Sequence, residues 1–206
     1  VDLGPGTGAL AYFVRSGPDL GEELRDSPGY HRIDARLGEI GLGGRWSLDL
    51  GADLRLAAEV DDPETAVGAM ATMAVTRAET VGGETTLALQ TGLGPGSTLA
   101  NVSDPDAAAD ALSARAVAVQ TFAVAEGVVG QAAALAEWRS EGPEWVSAGA
   151  RPVFEVAAPV YLAVEAGVDH VWDAGGGART LGKLTAAVEI KPTGGAFFDR
   201  PAFRAF

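Results

Sequence analysis

Residues 45–56 read RWSLDLGADLRL. Trp46, Leu48, Leu50, Ala52, Leu54 and Leu56 fall on one face of an extended chain. Arg45, Ser47, Asp49, Gly51, Asp53 and Arg55 fall on the other. Period two is the mark of a β-strand, because successive side chains project to opposite sides. Here one face is wholly apolar and the other carries four charges.

The same alternation recurs along the chain. In HRIDARL, Ile33, Ala35 and Leu37 oppose Arg32, Asp34 and Arg36. In WVSAGARPVFEV, Val146, Ala148, Ala150, Pro152, Phe154 and Val156 oppose Ser147, Arg151 and Glu155. In VYLAVEAGVD, Val160, Leu162, Val164, Ala166 and Val168 oppose Tyr161, Glu165 and Asp169. In TLGKLTAAVEIK, Leu184, Ala186, Val188 and Ile190 oppose Lys183, Thr185, Glu189 and Lys191. Ten strands and a partial eleventh are expected, at roughly 8–16, 30–40, 45–58, 68–80, 84–93, 114–125, 130–140, 144–156, 160–172, 180–191 and 200–206. In the Ala-rich segments 68–80 and 130–140 a helix competes with the strand.

The connections alternate in length. Short ones fall at Gly41–Gly44, Val81–Gly83, Glu126–Val129 and Ala157–Pro159. Longer ones fall at 17–29, 59–67, 92–113, 140–142 and 173–179. This predicts an all-β, antiparallel up-and-down meander. The longest connection, GLGPGSTLANVSDPDAAADALS, is expected to hold one helical turn starting at Asp104–Pro105. The last stretch, GGAFFDRPAFRAF (Gly194–Phe206), starts a strand with Arg200 and Arg204 on one face and ends inside it. With no initiator Met and no signal peptide, the chain is expected to be cut from something longer, a single domain over 1–206 truncated at both ends.

Composition narrows the classes. The net charge of −13 and pI near 4.5 argue against a nucleic-acid partner, which requires a basic footprint. Hydrophobic residues make up 47% while mean hydropathy is only +0.13, neither a membrane-helix protein nor a disordered one. The longest apolar stretch, Ala116–Trp138, is interrupted by Gln120, Glu126 and Gln131 and contains the turn signal EGVVG. The chain has no cysteine, which excludes disulfides, thiolate chemistry and Cys-based zinc sites.

Long strands with one apolar and one charged face suit two settings. In a soluble sandwich the apolar face turns inward. In an outer-membrane barrel it meets lipid, and the charged face lines a wet lumen. Strands of about 11 residues match what a tilted strand needs to cross the hydrocarbon layer. Many apolar-face positions are Ala, which packs a soluble core poorly but suits acyl chains. In the barrel reading Leu48, Leu50, Leu54, Val160, Leu162, Val164 and Val188 face outward, and Asp49, Asp53, Arg151, Glu165 and Lys183 face the lumen. Trp46, Trp145 and Trp172, near strand ends, are candidates for the interfacial aromatic girdle, with either face open to Trp172.

Four segments resemble maltoporin-type sugar porins, in the family's order. They are VDLGPGTGALAYFVRSG, HRIDARLGEIGLGGRWSLDLGADL, EWVSAGARPVFEVAAPVYLAVEAGVDHV and KLTAAVEIKPTGGAFFDRPAFRAF. The last is the most specific, matching a KLT…W-S-R-P-x-x-R-x-F pattern. The resemblance implies about 10–11 of the roughly 18 strands of a large transmembrane β-barrel. It also implies residence in the bacterial outer membrane, a homotrimer in contact with lipid, and passive diffusion of maltodextrin-type oligosaccharides.

The family moves sugars along aromatic rings flanked by ionised side chains. Apolar C–H faces of glucose lie on the rings, while the hydroxyls bond to charges of either sign. Weak contacts repeated along a path let the sugar enter and leave. By resemblance Phe198 is a slide residue. A second slide aromatic falls near Gly82–Gly83, where this chain has none, so weak sugar binding is expected. The polar track comprises Arg32, Asp34, Arg36, Arg45, Asp49, Asp53, Arg55, Arg151, Glu165, Arg200 and Arg204. Mutual neutralisation in an ordinary lumen wall is the plainer role for these charges.

Other features carry less. His31 and His170 are isolated, so no metal or other cofactor is expected. GPGTG and GLGPGS lack the Lys-Ser/Thr of a phosphate loop. No nucleophile, base and orienter constellation supports an enzyme. Asn101-Val102-Ser103 matches a glycosylation sequon that chance also produces, and the acidic loop residues Glu22, Glu23, Asp61, Asp62, Asp104, Asp106 and Asp110 are expected to be solvated. Two alternatives remain at this level, a general diffusion porin and a soluble β-rich structural or adhesion domain.

Overall fold

A computed structural model of the chain describes residues 6–15, 29–58, 65–80, 82–99, 108–192, 197 and 203–205. The strands are β1 (Thr7–Arg15), β2 (Gly29–Gly43), β3 (Trp46–Ala58), β4 (Thr65–Thr80), β5 (Gly83–Leu93) and β6 (Leu112–Ala125). They continue with β7 (Val128–Arg139), β8 (Glu144–Ala157), β9 (Val160–Trp172), β10 (Ala178–Ile190) and β11 (Phe203–Ala205). They form one sheet in sequence order, β1 to β11, the expected meander. The Ala-rich β4 and β7 are strands. Pairing on both sides overrides the helix preference of alanine, a weak prior worth a fraction of a kcal/mol per residue.

Two register shifts, at Leu37/Ile40 and Gly41/Gly43, extend β2 beyond its expected end. Glu39 sits in the first with φ 58 and donates its backbone N–H to the Asp49 carboxylate at 2.8 Å. A bulge inserts an extra residue and leaves a backbone group outside the ladder, and the carboxylate satisfies it. The turn that follows uses Gly43 (φ 92) and Gly44 (φ 63), a conformation open to glycine at little steric cost. The turn takes up Arg45, so β3 begins at Trp46.

The chain divides into two compact units. The first is Val1–Val75, Ala88–Ala116 and Glu137–Pro143; the second is Thr76–Leu87, Val117–Ala136 and Glu144–Phe206. In both, burial runs opposite to a soluble protein. Leu10 in the first unit is 77% exposed and Leu184 in the second is 79% exposed. Leu50, Leu54, Leu162 and Val188 are also exposed, while Leu48, Val160 and Val164 are half-buried. The largest fully buried side chains are Arg55, Lys191 and Glu189. Charged side chains are almost never fully buried without partners, so the polar face is the organised interior. The described residues contain no α-helix and no second sheet, so nothing among them covers the apolar face.

Parity sorts the aromatics. Trp46 and Trp172 are exposed on the apolar face, the latter edge-on to His170 at 4.3 Å. Trp145 departs from expectation. It shares parity with Ser147 and Arg151 and donates Nε1–H to the Asp169 carboxylate at 3.3 Å, which puts it on the polar face. Its nearness to a strand end suggested a girdle, but alternation decides the side.

Candidate functional site

In the first unit, β2 and β3 pair so that Arg32 lies opposite Arg55, Asp34 opposite Asp53, and Arg36 opposite Gly51. Like charges directly opposite repel. The side chains resolve this along and across the strands. Arg32 reaches Asp34 at 2.5 Å and Asp53 at 2.8 Å, Arg55 grips Asp53 at 2.6 Å, and Arg36 grips Asp34 at 2.8 Å. The result is alternating bands of charge, positive, negative and positive, followed by Asp49. Arg32, Asp34, Asp53 and Arg55 are buried, whereas Arg36 is exposed. The sequence placed these residues on one face. Their pairing depends on cross-strand register.

The cover comes from the chain after β5. Gly94–Gly96 makes a single 3₁₀ turn, buried against this unit. Arg55 Nη1 donates to the Pro95 carbonyl at 3.5 Å, and Arg115 Nη1 donates to the Leu99 carbonyl at 3.3 Å. The Ser113 hydroxyl donates to the Ser97 carbonyl, and Gly94 N–H to Ala111 O at 2.8 Å. Arg115 is held by Glu137, which also binds Arg139 at 2.5 Å. A Cβ on Gly96 would stand 2.2 Å from the Ala69 carbonyl oxygen, and one on Gly92 would stand 2.1 Å from Gly96 O. GLGPGS is therefore a backbone-on-backbone packing motif. The turn expected at Asp104–Pro105 lies outside the described residues. Beside the folded turn is a cleft of about 440 Å³ lined in part by Asp34, Arg36, Asp49, Thr72, Gln90 and Leu99.

In the second unit, Glu189 is fully buried between Arg151, which hydrogen-bonds to it, and Lys191 at 3.4 Å. Lys191 Nζ lies 5.5 Å from the centre of the Tyr161 ring, and the Arg151 guanidinium 5.7 Å from that of Phe197. Glu165 pairs with Lys183 at 2.5 Å on the same face. Arg45 is an exposed turn residue. Phe198 and Arg200 lie outside the described residues. Arg204 is in β11 opposite Glu189, its side chain outside the described set.

Across residues 1–206 the chain matches the family model for LamB porin. The chain belongs to the LamB porin family. No curated protein matches it. The family is an outer-membrane porin family of Gram-negative bacteria that passes sugars, a class of channels. Its membership makes this all-β meander part of a large transmembrane barrel.

Several porin-wall residues were missed from the sequence. Arg115, Glu137 and Arg139 are single charges in Ala-rich runs, yet they share the parity of Ser113, a signal that could have found them. Phe13 lies opposite Arg32 on the polar face, half exposed, with the guanidinium 5.9 Å from its ring centre.

Proposed function

We propose that this porin lets oligosaccharides, maltodextrins foremost, diffuse passively along its polar face. One observation carries this reading: large apolar side chains are exposed while Arg55, Glu189 and Lys191 are fully buried. Such an inverted distribution suits a wall with lipid on one side and a wet, charge-lined path on the other. Sugars carry no net charge but many hydroxyls. Bands of alternating sign offer acceptors and donors in turn without trapping the solute. We also infer that the chain supplies about ten of the strands of a single barrel, that the rest of the protein closes it, and that the assembly is a homotrimer.

Phe13 and Trp145 are polar-face aromatics that can take a pyranose ring, in addition to the slide role assigned by resemblance to Phe198. Phe13→Ala should weaken sugar binding by about 1 kcal/mol, roughly fivefold, with ion conductance unchanged or slightly higher. Titrating maltooligosaccharides against single-channel current measures this. Equal block in both proteins would remove Phe13 from the path. The missing aromatic near Gly82–Gly83 favours a second reading, a general diffusion pore. Liposome swelling in sugars of graded length separates the two, since a general pore shows a smooth size dependence and no sugar block.

The lipid-facing side has its own test. Leu50→Arg should lower folding stability in lipid vesicles by about 2–4 kcal/mol if Leu50 lies near the bilayer midplane. Urea titration of vesicle-folded protein reads it, and an unchanged midpoint would place Leu50 away from lipid.

A further inference from the structure

We propose that the solute path is narrowed at the short-turn end of the second unit by Phe197, in the connection between β10 and β11, with Arg151 as the residue that positions its ring. The inference rests on the porin reading above. Phe197 packs against Val153, Tyr161 and Ala163, the buried apolar cluster on the polar face. Its ring therefore turns towards the path instead of towards lipid. The start of its connection is tied to the β8–β9 turn, because Lys191 N–H donates to the Pro159 carbonyl at 2.9 Å.

The ring is seated by charge. The Arg151 guanidinium lies 5.7 Å from its centre, within the range of a cation–π contact. Arg151 is itself fixed by hydrogen bonding to Glu189, which is fully buried. A carboxylate locked in the wall thus orients a guanidinium, and the guanidinium orients the ring. Phe197 stays partly exposed, which leaves ring surface for a passing solute. A flat apolar surface edged by a cation suits a pyranose, whose C–H face and rim hydroxyls match the two parts.

The absence of cysteine makes a direct test possible. Phe197→Cys in the full-length protein is reconstituted in planar bilayers and treated with methanethiosulfonate reagents of increasing size. Before labelling, conductance should rise on the order of 1.3-fold over wild type, because loss of the ring widens the path where it stands. After labelling with a bulky reagent it should fall to the wild-type value or below, while wild type is unaffected. Unchanged conductance at both stages, or a thiol that no reagent reaches, would overturn the proposal. A wild-type protein that forms no pore at all would instead overturn the porin reading, and this inference with it. Should Phe197→Cys fail to assemble, Arg151→Gln gives the second readout. It keeps a hydrogen-bonding side chain while removing the cation beside the ring, and it should also raise conductance. An unchanged current in folded Arg151→Gln would likewise refute the positioning role.

Discussion

Replacing Gly96 by valine should raise single-channel conductance on the order of twofold or more and relax the size limit for sugars. The cause is steric. A Cβ at position 96 would meet the Ala69 carbonyl oxygen at 2.2 Å and the Ala69 carbonyl carbon at 2.6 Å. Both are backbone atoms of a paired strand, so no side-chain rotation relieves the clash. The Gly94–Leu99 segment must lift away from the polar face, and the carbonyls of Pro95 and Leu99 leave Arg55 and Arg115. The two guanidiniums keep Asp53 and Glu137, so the wall itself should persist. Bilayer recordings with sugars of graded length provide the measurement. A Gly96→Val protein with wild-type conductance and size limit would mean that this turn does not restrict the path.

Glu189→Gln should destabilise the folded protein by about 3–5 kcal/mol, the usual cost of breaking a buried ion pair from one side. The change is nearly isosteric, so it leaves no cavity in the wall. What disappears is the carboxylate between the partly exposed Arg151 and the fully buried Lys191, which leaves two cations facing a neutral amide. Removing one cation as well should recover part of the loss, so Glu189→Gln with Lys191→Met is expected to be more stable than Glu189→Gln alone. Urea unfolding in vesicles measures both. Equal stability of Glu189→Gln and wild type would show that this charge cluster is solvated in the membrane.

Much of the candidate site could be read in the residue pattern. The alternation in RWSLDLGADLRL and HRIDARL assigns Arg32, Asp34, Asp49, Asp53 and Arg55 to one face, and the structure keeps them there. Trp145 was legible by the same rule, since it has the parity of Arg151, but its closeness to a strand end drew it to the girdle. In GLGPGS the sequence showed only what a phosphate loop would need and lacks; that Gly94 and Gly96 stand backbone-to-backbone against β4 became visible in the structure. Nothing local to β6 and β7 marks Arg115 and Glu137 as a pair, because their meeting depends on the register of the two strands and joins residues 22 positions apart.

The sequence by itself determined the strands, their meander and the side of each that is charged. Side-chain direction alternates residue by residue, so this information is local and survives without any knowledge of neighbours. Only the tertiary structure decided which opposite charges meet, that Arg32 faces Arg55 and reaches diagonally to Asp53, and that residues 94–99 fold back over this wall. Those outcomes depend on register and on backbone contact between distant segments, where a shift of one residue sends every charge to the other face.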